Sequence, residues 1–111
     1  AMRFVGRVAV DAHYNGLALD VAEGERIARA MGRSDVVFLG NHGVVVCGAR
    51  IDHAYDDLYY LERACEVQVI AQSTGRPLAP VAPDLAAHVA AQIQGERMQS
   101  TLFFEALRRM V

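Results

Sequence analysis

No lysine occurs anywhere in the 111 residues; all 11 basic residues are arginine. A Schiff-base enzyme needs a lysine amine and a Walker-type loop needs a lysine point charge, so both, and class I aldolase chemistry with them, are excluded within this chain. Tryptophan is absent, and the only two cysteines, Cys47 and Cys65, sit in apolar settings without CxxC spacing. That pattern argues against a disulfide framework or a cysteine zinc site and predicts two buried free thiols in a reducing cytoplasm. Long apolar runs are also missing. Val36 to Leu39 and Val44 to Cys47 fall far short of the roughly 18 residues that read as a membrane span. The first residues carry no basic segment followed by an apolar one, so no secretory signal is expected and the location expected is cytoplasmic. Neither sign of charge dominates, with 11 basic residues against 13 acidic and a net charge of −2. The arginines are scattered, so neither a nucleic acid nor a membrane is expected as a partner.

What the chain has in abundance is apolar character. With its four tyrosines exchanged for its nine glycines to match the usual counting set, its apolar share is about 58%, above the roughly 45–50% of ordinary globular domains. The length admits a single core, so the excess predicts apolar surface that belongs against a partner. Arg7 to Val10 alternates polar with apolar as a short strand does, and Asp11 to Gly16 collects turn-forming residues. Asp20 to Glu23 has the form of a capping box, and Ile27, Ala28 and Met31 follow at helical spacing up to Gly32, which predicts a helix over 21–31. Two β-type runs, Val36 to Leu39 and Val44 to Cys47, flank Gly40, Asn41, His42 and Gly43; the simplest reading is a hairpin with His42 at its tip. From Asp52 to about Ser73 the helical period is unbroken. It places Ile51, Ala54, Tyr55, Leu58, Leu61, Cys65 and Val69 on one stripe, read as the core face of a long helix. Arg76 to Pro80 cannot continue that helix. Beyond it, Leu85, Val89 and Ile93 mark one amphipathic helix, and Leu102, Phe103, Ala106, Leu107 and Met110 another, with a break at Gly95.

The four histidines, His13, His42, His53 and His88, show no HxH, HExxH or HxxEH spacing, so no complete metal site is legible locally. Spacing alone leaves His42 as an ordinary turn histidine or as a group held close to whatever lies above the sheet edge. His53 with Asp57 and His88 with Asp84 are i, i+4 pairs, read as a solvated pair and as support for a helix N-terminus. His13 has no partner in the sequence. Asp52, Asp56, Arg63 and Glu66 form a charged stripe, read as solvated or facing another subunit, and the tyrosines Tyr14, Tyr55, Tyr59 and Tyr60 as packing residues. No nucleophilic triad, catalytic carboxylate pair or glycine-rich phosphate loop is present, and no catalytic residue is assigned.

The block Phe38-Leu39-Gly40-Asn41-His42-Gly43-Val44-Val45-Val46-Cys47-Gly48, followed by Ala54 to Ala64, resembles the class II aldolase/adducin family in order and spacing. Gly16 to Asp20, Glu23 to Ala28 and the tail from Ala71 to Val111 are similar to it too. The resemblance spans nearly the whole chain but corresponds only to the C-terminal half of the family domain. The half with the Gly/Asn phosphate loop, the acid/base carboxylate and a His-x-His pair has no counterpart here. Residues 1–111 would thus be the C-terminal part of a single domain. The resemblance implies an α/β/α sandwich with a mostly antiparallel sheet, here incomplete, a hairpin plus several helices with most of the sheet missing. It implies a homo-oligomer, a tetramer when intact. It implies that His42 is the third ligand of a divalent ion, usually zinc, in a lyase or epimerase acting on a small phosphorylated sugar or hydroxy acid. The chain alone, lacking the other ligands, would bind zinc weakly and be inactive. The alternative is a non-catalytic adducin-like oligomerisation module, in which His42 is only a turn residue.

Overall fold

A computed structural model describes residues 2–111. They form a short 3-10 turn, Met2–Phe4, three strands, β1 (Val8–Asp11), β2 (Val36–Leu39) and β3 (Gly43–Val46), and four helices, α1 (Val21–Met31), α2 (Ile51–Ser73), α3 (Pro83–Gly95) and α4 (Met98–Arg108). The chain divides into two compact units, one over Gly6–Gly48 and the other formed by the residues up to Val5 with Ala49–Val111.

The first unit holds the sheet. Its order is β1-β2-β3, with β2 in the middle, antiparallel to β3 and parallel to β1. A parallel neighbour needs a crossover, which α1 supplies between β1 and β2. The expected hairpin is present, with Val37 opposite Val45 and Leu39 opposite Gly43. The expectation of a mostly antiparallel sheet is met by only one of the two ladders. Val36 and Val37 point to opposite faces of β2 and are both fully buried, so the central strand is covered on both sides. The Arg7 guanidinium donates to Asp35 at 2.6 Å and ties the start of β1 to that of β2. Helix α1 begins and ends where its local signals say: the Asp20 carboxylate accepts the Glu23 N–H at 2.8 Å, and Gly32 closes the helix in the left-handed region at φ 58°.

The second unit is helical, and here the sequence reading of α2 needs correction. The extent of the helix is as expected, but its buried residues are Asp52, Asp56, Asp57 and Leu61. Of the stripe read as core, Ile51 is 73% exposed and Val69 66%, and Tyr55 and Leu58 are exposed as well. The aspartates turn inward because each meets groups far away in sequence. Arg97 forks onto Asp57 with two hydrogen bonds at 2.9 and 2.7 Å, and Arg3 reaches Asp56 at 2.6 Å and Asp57 at 3.3 Å. Ser100 Oγ donates to Asp56 at 2.8 Å, and Thr101 Oγ1 to Asp52 at 2.7 Å. Buried carboxylates persist only when paired and hydrogen-bonded, and these are. The stripe read as solvated is therefore, at Asp52 and Asp56, the buried seam that joins α2 to α4. His53 and Asp57 are not the solvated pair expected, since Asp57 is 1% exposed and belongs to Arg3 and Arg97.

Cys47 is exposed and Cys65 half-buried, so the thiols are free but not both buried. Tyr55, Tyr59 and Tyr60 are 41–48% exposed. They pack at their edges, Tyr55 and Tyr59 against Phe103, and Tyr60 beneath the Arg3 guanidinium at 4.3 Å. Among the described residues, no helix is long and apolar enough to cross a membrane.

Candidate functional site

The turn between β2 and β3 is built from Gly40, Asn41 and His42. The His42 N–H donates to the Leu39 carbonyl at 3.1 Å, and Asn41 takes the left-handed conformation at φ 56°, which asparagine tolerates better than most residues. Gly40 is required for a different reason. Its N–H donates to the Asp11 carbonyl at 2.7 Å, and a Cβ on it would lie 2.9 Å from the Ala12 carbonyl oxygen. Only a residue without a side chain lets the exit of β1 pass this close to the turn.

That exit loop, Asp11 to Asn15, is tied to α1 at both ends. The Asp11 carboxylate, 5% exposed, accepts from Arg26 Nη1 at 2.5 Å and from the His13 backbone N–H at 3.1 Å. Arg26 also forks onto Glu23, one turn earlier on α1, at 2.9 and 2.7 Å, and Glu23 accepts from Asn15 Nδ2 at 3.3 Å. The Arg26 guanidinium is the main reason that the Asp11 and Glu23 carboxyls lie below their ordinary values; partial burial works against it in both. Glu23 and Asp11 in turn raise the pKa of Arg26. His13 Nδ1 stands 3.6 Å from Asp11, with its ring in solvent. Between the two ties, the Tyr14 ring meets the His42 ring edge to face, with centroids 6.1 Å apart and an interplanar angle of 84°.

His42 is exposed at the tip of the turn, and among the described residues neither ring nitrogen makes a hydrogen bond or ion pair. As a donor it suits a divalent ion, since a neutral imidazole nitrogen is a common ligand. It is a single donor, however. Among the described residues no three histidine, cysteine or carboxylate side chains come together as a metal site. The residues present do not hold an ion by themselves.

A sequence model described as "Class II Aldolase and Adducin N-terminal domain" matches residues 1–69. The chain belongs to the class II aldolase and adducin family. A Pseudomonas aeruginosa relative described as "Putative aldolase class 2 protein" is 36% identical over 88 residues, covering 79% of this chain and 34% of the relative. The crystal structure of an aldolase II superfamily protein from Pseudomonas syringae is 36% identical, with a TM-score of 0.81, and the match covers 98% of this chain and 44% of that one. L-fuculose 1-phosphate aldolase from Glaciozyma antarctica is 26% identical, with a TM-score of 0.76, over 98% of this chain and 41% of that one. The chain thus spans about a third of the curated relative and less than half of either solved structure.

The structure brings His42 together with Tyr14, and His13 precedes Tyr14 in the same loop with its ring in solvent. His53 lies in the first turn of α2, and His88 and Asp84 are both exposed on α3. The residues around His42 that sequence reasoning passed over are Asp11, Asn15, Glu23 and Arg26. Glu23 and Arg26 at i, i+3 were a legible pair. Their reach to Asp11 and Asn15 was not, because it depends on the parallel placement of β1.

Proposed function

We propose that these residues are part of a divalent-metal-dependent class II aldolase-like lyase or epimerase acting on a small phosphorylated sugar or hydroxy acid. His42 is one ligand of the ion, and the other ligands, the acid/base group and the phosphate loop come from residues outside this chain. The observation that carries the reading is the His42 imidazole, exposed on a hydrogen-bonded turn with both nitrogens unengaged among the described residues, in a chain of this family. A bound divalent ion would polarise the hydroxy-carbonyl oxygen of the substrate and stabilise the charge that develops there. This chain's contribution is an imidazole carried on a turn whose backbone is tied at Gly40 and His42. The single-domain reading belongs to this proposal: residues 1–111 complete one incomplete α/β/α domain, and the intact protein is a cytoplasmic homo-oligomer, a tetramer.

The test is metal analysis of the full-length protein. His42→Ala is expected to lose bound zinc and cleavage of a sugar phosphate by at least about tenfold while unfolding at the same temperature. Full zinc stoichiometry in the variant overturns the assignment. The second reading, an adducin-like oligomerisation module, draws on the family's adducin branch and on the exposed apolar residues of α2. It predicts a full-length protein that assembles but binds no stoichiometric metal before or after the substitution.

A further inference from the structure

We infer that Tyr14 is a positioning residue for His42, an aromatic wall that selects the orientation in which the imidazole is presented. The inference rests on the reading of His42 as a ligand. An imidazole on an exposed turn is free to rotate about two side-chain bonds, and this one has no hydrogen bond to its ring nitrogens that could select a rotamer. Its ring contact is the edge-to-face meeting with Tyr14 at 6.1 Å. Tyr14 is itself 52% exposed, so burial of its ring is not what holds it there. It is held by the loop on which it sits. Asp11 and Asn15, on either side of it, are tied to Arg26 and Glu23, which are forked together on one turn of α1. The Gly40 N–H bond to Asp11 fixes the same loop against the turn that carries His42. Loop and turn are thus registered to each other through the backbone, and the two rings meet as a consequence. Such an arrangement leaves the imidazole nitrogens open to a ligand while restricting the ring plane. A hydrogen-bonded partner could not do this without occupying one of the two nitrogens. Among the described residues the tyrosine hydroxyl makes no hydrogen bond.

The test uses the full-length protein with Tyr14→Leu, which keeps bulk but not the aromatic edge, Tyr14→Phe, which keeps the ring, and His42→Ala as reference. Two readouts are taken, zinc affinity by competition with a chromophoric chelator and the His42 ring resonances in the metal-free protein. Tyr14→Leu is expected to weaken zinc binding about two- to tenfold, the range of an edge-to-face aromatic contact, and to shift the His42 ring resonances, with no change in unfolding temperature. Tyr14→Phe is expected to match the parent in both. Unchanged zinc affinity in Tyr14→Leu, with or without shifted resonances, overturns the inference while leaving His42 as a ligand. Loss in Tyr14→Phe equal to that in Tyr14→Leu overturns the role of the ring in favour of the hydroxyl. Undiminished zinc binding by His42→Ala overturns the underlying assignment, and the positioning role with it.

Discussion

Asp57 carries no catalytic assignment, yet it is among the most buried side chains of the helical unit. Its two oxygens accept two hydrogen bonds from Arg97 and a third from Arg3, and nothing of it is left for solvent. Removing one partner of such a group strands a desolvated charge, which costs more than the pair itself contributes. Asp57→Ala is therefore expected to destabilise the protein by about 3–5 kcal/mol, read from urea unfolding. A loss below about 1 kcal/mol, the range of exposed pairs, would show the cluster to be solvated in solution. Asp52 is held in a similar way, its carboxyl kept well below the usual carboxylate range first by Arg50 and then by the Thr101 hydroxyl. Apart from Arg50, which lies two residues from Asp52, these partners were illegible residue by residue. The bonds to Asp57 span 40 and 54 positions of sequence, and no local spacing announces them.

At the scale of elements, legibility follows the range of the forces. Helix α1 was readable to the residue, because its cap, its apolar spacing and its terminal glycine all act within a turn. The β2–β3 hairpin was readable because two-residue to four-residue links between β-type runs have few solutions. The length of α2 was readable and its buried face was not. Periodicity counts apolar residues, and this helix buries aspartates against distant arginines while leaving Ile51 and Val69 exposed. Strand β1 was recognised, but its parallel partner was not, since parallel pairing is decided by a crossover rather than by a turn. The join of β1 to the hairpin turn makes a sharp prediction. Gly40→Ala places a methyl group 2.9 Å from the Ala12 carbonyl oxygen, a backbone atom with little freedom to yield. The expected cost is about 1–3 kcal/mol in thermal or urea unfolding, together with displaced backbone resonances for Asp11 to Tyr14 and His42. A variant as stable as the parent, with those resonances unmoved, would mean that loop and turn are not in contact.

For the molecule as a whole, the decisive quantities are the share of its relatives that it spans and the donor set that it holds. It covers 44% and 41% of two solved chains whose fold it shares, and among the described residues it assembles no three-donor metal site. Val10 on β1, and Ile51, Val69 and Ile70 on α2, are apolar side chains turned to solvent. Under the proposed account, His42 is one ligand of a site whose remainder lies on chain outside these residues. The sequence showed the family resemblance and the single candidate ligand, and under the proposal the other ligands lie outside these residues. The most direct measurement is to sequence the gene upstream of the codon for Ala1. The account predicts an in-frame segment that encodes a Gly/Asn-rich loop, a carboxylate and a His-x-His pair. An upstream frame without those histidines, or a start codon at Met2, would contradict it and leave His42 as a turn residue of an assembly module.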